Sequence, residues 1–65
     1  MVILYSTHCP KCEVLEKKLQ MKNINYIECN DTDIMIARGF INVPMLEVDG
    51  FVMDFSVANK WINEQ

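Results

Sequence analysis

The feature that most constrains this fold is a change of hydrophobic period across Cys9-Pro10-Lys11-Cys12. Before it, Val2 to Tyr5 is a short apolar run rich in β-formers, which reads as a buried strand with a parallel neighbour. Ser6, Thr7 and His8 break the run. After it, Cys12, Leu15, Leu19 and Lys22 recur at spacings of three and four, on one face of a helix. Val14 and the stem of Lys18 are expected to widen that face, with Glu13, Glu16 and Lys17 outside it. Pro10 suits the first turn, where its missing N–H is not needed. The helix is expected from about residue 10 to 22, stopping at Asn23, a residue type that tolerates the left-handed conformation.

The rest of the chain repeats this alternation and then changes it. Asn25 to Cys29 reads as a second strand, centred on Tyr26, Ile27 and Glu28. Asp31, Thr32 and Asp33 are helix-start residues that suit the dipole, Ile34, Met35 and Ala37 continue a short helix, and Gly39 fits its C-terminal cap. Val43-Pro44 forces an extended entry into Met45-Leu46-Glu47-Val48. Asp49-Gly50 separates that run from Phe51-Val52-Met53, a strong hairpin signal because both turn residues must adopt positive φ. Asp54 or Ser56 can cap a last helix, in which Val57, Ala58, Trp61 and Ile62 fall at helical spacing and Trp61 packs in the core.

The order is therefore β-α-β-α-β-β-α. It defines an α/β chain with a four-stranded mixed sheet flanked by helices. Parallel pairing is expected within the strand-helix-strand units, and an antiparallel hairpin after them. No repeat, linker or low-complexity segment interrupts residues 1–65, which form a single domain.

Composition narrows the functional classes. A chain of 65 residues that is 51% hydrophobic and 23% charged can bury a thin core and is not a disordered acidic segment. The net charge is −3, and Lys11, Lys17, Lys18, Lys22, Arg38 and Lys60 are scattered rather than clustered, which argues against nucleic acid as a partner. No apolar run approaches the ~20 residues a membrane span needs. No basic leader precedes the first strand, so a cytoplasmic location is expected, where thiols are kept reduced. Three cysteines, an odd count, argue against a structural disulfide framework, and a Cys-x-x-Cys at a strand-to-helix junction reads as a redox motif.

Cys9 lies where unpaired backbone N–H groups and the helix dipole stabilise an anion, so a thiolate is favoured there, with Lys11 as a further nearby positive charge. Cys12 follows one turn later on the same side, inside the helix. The asymmetry assigns the roles. Cys9 attacks a substrate disulfide, Cys12 attacks Cys9 to release the product, and Pro10 fixes the first turn between them. The alternative is a metal-binding module in which Cys9 and Cys12 hold copper(I), or hold zinc with Cys29 and His8. Cys29 otherwise reads as a small apolar residue, His8 as a loop residue, and Met35, Met45 and Met53 as core and rim filler. Tyr5 ends the first strand and packs near the site.

Tyr5-Ser6-Thr7-His8-Cys9-Pro10-Lys11-Cys12, followed by Leu15 and Leu19, resembles the active-site segment of glutaredoxins. Val43-Pro44, a strand and Asp49-Gly50 resemble their cis-proline loop and hairpin, and Val43 to Gly50 is also similar to the redoxins that serve ribonucleotide reductase. The resemblance covers the whole chain in order. It implies a minimal thioredoxin-like fold and a thiol–disulfide oxidoreductase that reduces protein disulfides, ribonucleotide reductase among the candidate substrates. It further implies a cis Pro44 packed against the cysteine pair, and Val43 offering its backbone to an extended peptide or to glutathione. Lys11 is the candidate partner of a glutathione carboxylate. The implied electron donor is glutathione or thioredoxin reductase. No tightly bound cofactor is expected, and the chain is read as a monomer. Three features depart from the family pattern: the loop before Cys9 lacks a lysine, position 11 is Lys rather than an aromatic residue, and Met53-Asp54 replaces paired glycines. Asp54 repels an anion at the start of the last helix.

Overall fold

Alternation of side chains decides how this small sheet is covered. In the computed structural model, which describes residues 1–65, β1 (Val2–Tyr5) sends Leu4 to one face and Tyr5 to the other, and both are buried. The chain continues through α1 (Pro10–Met21), β2 (Ile27–Cys29), α2 (Thr32–Ala37), β3 (Met45–Val48), β4 (Phe51–Met53) and α3 (Phe55–Asn63). The strands lie in the order β2-β1-β3-β4. The architecture is α/β with a four-stranded mixed sheet and three helices.

On one face Leu4 and Leu46 meet Leu15 and Leu19 of α1 and Ala58 and Ile62 of α3, all fully buried, with Val2, Val48, Met53, Phe55 and Trp61 at the margin. Trp61 thus packs on the core as its helical spacing implies. Each such leucine contributes roughly 1.5–3 kcal/mol by leaving water. Glu47 and Tyr5 project to the opposite face, where α2 and the following loop reach them through Arg38 and Phe40.

Local chemistry explains the boundaries. Asn23, Gly39, Asp49 and Gly50 all have positive φ, at 56°, 77°, 48° and 91°, so each stop or turn uses a residue type suited to it. Asp31 caps α2 by accepting the Asp33 and Ile34 N–H groups, and Asp54, not Ser56, caps α3 by accepting from Val57. The Val43–Pro44 peptide is cis, as the resemblance implies.

Four details differ from the sequence expectation. β2 starts at Ile27 rather than Asn25, because the register pairs Ile3 with Ile27 and leaves residue 25 opposite no strand. Only β1-α1-β2 gives a parallel pair. β3 runs antiparallel to β1 on its other edge, so the second strand-helix-strand unit spans β1 instead of pairing its own strands. Val14 is exposed, and the buried face of α1 is the narrower row of Cys12, Leu15 and Leu19. Lys22 is exposed as well, and its ammonium donates to the Gln65 carbonyl.

Candidate active site

The sharp passage from β1 into α1 places Cys9 at the N-cap. Its backbone is extended (φ −74°, ψ 165°), Pro10 occupies the first turn, and the Cys9 carbonyl accepts the Glu13 N–H at 2.9 Å. Its Sγ then faces the open end of the helix and accepts the Cys12 N–H at 3.2 Å. Negative charge forming on that sulfur meets a backbone donor already aimed at it, together with the positive end of the helix dipole.

The two thiols have different surroundings. Cys9 is half-buried, whereas Cys12 is wholly buried, and neither is in a disulfide. Burial pushes the Cys12 thiol above its ordinary value, and contact with the Cys9 side chain adds to the rise. The pair therefore combines one accessible sulfur with a supporting donor and one sheltered sulfur a turn further along.

Lys11, Val43 and Pro44 come together on one cleft, which neither cysteine lines. They line this cleft of about 330 Å³ with Asn42, Asp54, Phe55 and Ser56. The Lys11 ammonium lies 5.4 Å from the centre of the Phe55 ring, within cation–π range. Asp54 accepts the Val57 N–H at 2.9 Å, so the N-terminus of α3 on this cleft already holds a carboxylate. A second, more apolar cleft of about 240 Å³ shares Asn42 and Val43 and is walled by Met35, Ile36, Phe40 and Ile41. Asn42 and Val43 are thus the residues where a polar and an apolar cleft meet.

Tyr5 is buried but makes no hydrogen bond to either cysteine. Its hydroxyl donates to Glu47 at 3.0 Å and accepts from Arg38, whose guanidinium also pairs with Glu47 and lies over the Tyr5 and Phe40 rings. The Tyr5 hydroxyl is pushed up, first by burial and then by Glu47. Sequence reasoning did not find this group. Its one signal was Glu47 standing between Leu46 and Val48 in a period-2 strand, which marks a second, polar-lined face.

A second unforeseen cluster lies behind the strand-to-helix loop. Glu28 accepts from Ser6 at 3.0 Å and from Asn30 at 2.9 Å, and its carboxyl is held below the usual range chiefly by Asn30. His8, with φ 61°, brings Nδ1 within 3.7 Å of the same carboxylate. Glu16 of α1 completes the group. The zinc set of Cys9, Cys12, Cys29 and His8 does not assemble. Where three or more His, Cys, Asp or Glu ligands converge, they are His8, Glu16 and Glu28, with no cysteine among them.

No helix is long and apolar enough to cross a membrane. No protein-family model matches the chain, and no curated protein matches it in sequence.

Proposed function

We propose that this chain is a cytoplasmic thiol–disulfide oxidoreductase of the glutaredoxin type, on a thioredoxin-like fold, with Cys9 as nucleophile and Cys12 as resolving thiol. One observation carries the reading: a half-exposed Cys9 Sγ at a helix N-cap accepts the N–H of a fully buried Cys12 one turn away. The sheet order β2-β1-β3-β4, with its single parallel pair joined through α1, supports the fold assignment.

The reaction follows from the asymmetry. The Cys9 thiolate attacks one sulfur of a protein disulfide, that S–S bond breaks, and the departing sulfur takes the electron pair and a proton. The mixed disulfide on Cys9 is then attacked by Cys12, which loses its proton as the Cys9–Cys12 bond forms and the second substrate thiol leaves. The substrate gains two electrons and two protons, and the protein ends as the disulfide. A dithiol donor restores it by the reverse exchange. The carboxylate of Asp54 at the α3 N-terminus favours a reductase over glutathione as that donor, because an anionic ligand would meet a fixed negative charge. Val43, at the junction of the two clefts, suits an extended protein segment.

With NADPH, thioredoxin reductase and a protein disulfide, Cys9→Ser is expected to abolish turnover, and Cys12→Ser to accumulate mixed disulfide visible by mass spectrometry. Full activity without Cys9 would overturn the assignment. Reduction of the oxidised protein by glutathione alone would reverse the choice of donor while leaving the cysteine chemistry intact.

A further inference from the structure

The cluster of His8, Glu16 and Glu28 has a composition that the cysteine chemistry does not use. Three separate elements supply it: the loop after β1, the second turn of α1, and β2. One donor atom from each side chain lies within 4.8 Å of the other two, and His8 Nδ1 is 3.7 Å from Glu28 Oε2. We propose that these three side chains form a binding site for one divalent transition-metal ion of the zinc type, separate from the thiol pair.

Charge is the first argument. Glu16 and Glu28 are half-buried carboxylates brought face to face, yet no Lys or Arg ion pair reaches either of them, and the imidazole is the one basic group at hand. A dication supplies the missing charge.

Geometry and donor chemistry narrow the ion. One imidazole and two carboxylates form a three-ligand set of the kind that leaves a fourth position open on zinc. Magnesium and calcium demand six or more oxygens, which this cluster does not offer. A tetrahedral ion with bonds of about 2.0–2.1 Å places its ligands about 3.3 Å apart. The observed separations are somewhat wider, and His8, whose side chain is 65% exposed, is free to swing inward. Glu28 is held more firmly. The hydroxyl of Ser6, itself fully buried, and the Asn30 amide both donate to its Oε2, which aims the carboxylate and leaves Oε1 without a protein donor. Outer hydrogen bonds of this kind orient metal ligands.

The test uses zinc chloride titrated by calorimetry at neutral pH into the full chain with Cys9, Cys12 and Cys29 replaced by Ser, so that no thiolate competes. The expected result is one zinc per chain. His8→Ala and Glu16→Gln should each weaken binding by about tenfold or more, whereas Glu64→Gln, exposed at the C-terminal cap of α3 and outside the cluster, should not change it. Nitrogen-15 spectra should show the His8 ring shifting with zinc. Circular dichroism checks that each variant is folded, and Glu16→Gln, nearly isosteric, keeps the test decisive if His8→Ala fails to fold. Absence of one-to-one uptake up to millimolar zinc, or uptake indifferent to both substitutions, would overturn the proposal.

Discussion

The difference between Cys9 and Cys12 is one of place, since the two side chains are identical. Cys9 stands at a helix N-cap with a backbone N–H on its sulfur, and Cys12 is sealed beneath the same turn. Because burial raises the Cys12 thiol, it stays protonated at neutral pH and is sheltered from reagent. Short pulses of iodoacetamide at pH 7 should therefore modify Cys9 at least about tenfold faster than Cys12, as read by peptide mass mapping. Equal rates would mean that the buried thiol is reached by local opening. The carboxylates make a second prediction at this scale. Glu47 is held low chiefly by its hydrogen bond from Arg38, and Glu28 chiefly by Asn30. A depressed folded-state value means that the stabilisation is present above the unfolded carboxylate range and is lost as pH falls through the folded value. Glu16 has the opposite sign: its raised value favours the fold at low pH, and that contribution is lost as pH rises. Melting temperature should thus fall on acidification below about pH 4.3. Glu47→Gln should flatten that acid limb, and an unchanged limb in this variant would remove the ion pair from the account.

Elements were legible wherever a single residue type carried the signal. Pro10, Asn23, Asp31, Gly39 and the Asp49-Gly50 pair mark starts, stops and a turn through local conformational preference, and each sits where that preference is used. The cysteine pair was legible for the same reason, being a short motif at a change of period. What could not be read depends on long-range pairing. The side of β1 on which β3 adds is set by how the whole sheet is covered, and the contacts Tyr5–Glu47 and Ser6–Glu28 join residues 42 and 22 positions apart. The left-handed backbone at His8 was equally hidden, because histidine is a much weaker turn signal than glycine or asparagine. The caps can be tested directly. α2 has six residues and a single buried side chain, Met35, so its hydrogen-bonded end matters more than packing does. Asp31→Ala should cost about 1 kcal/mol by urea unfolding. At Gly39 an added Cβ meets nothing within 4 Å, so any penalty in Gly39→Ala comes from φ 77° alone, about 1 kcal/mol as well. A neutral Gly39→Ala would mean that the end of α2 relaxes to another backbone conformation.

At the scale of the molecule, one face of the sheet carries most of the burden. Six fully buried residues, Leu4, Leu15, Leu19, Leu46, Ala58 and Ile62, tie β1 and β3 to α1 and α3. The other face has α2 with Met35, and leaves Ile36 and Ile41 exposed. A chain of 65 residues commands roughly 3–10 kcal/mol of net stability. Truncating one leucine of the six removes a comparable amount, because Leu→Ala in a closed core costs about 2–5 kcal/mol. Leu46→Ala is the informative choice. It lies on a central strand, packed with residues of α1 and α3, and lines neither cleft. Its urea midpoint should fall by a third or more, whereas Val52→Ala, on the partly exposed β4 edge, should shift it little. The folded fraction that remains should keep the full thiol chemistry, so turnover per folded molecule should be unchanged while total activity tracks the unfolding curve. Loss of turnover beyond the folded fraction would mean that this core also holds the cysteine geometry, through Leu15 and the buried flank of α1. A shift below 1 kcal/mol would place the main stabilisation on the α2 face, where Tyr5, Arg38, Phe40 and Glu47 interlock.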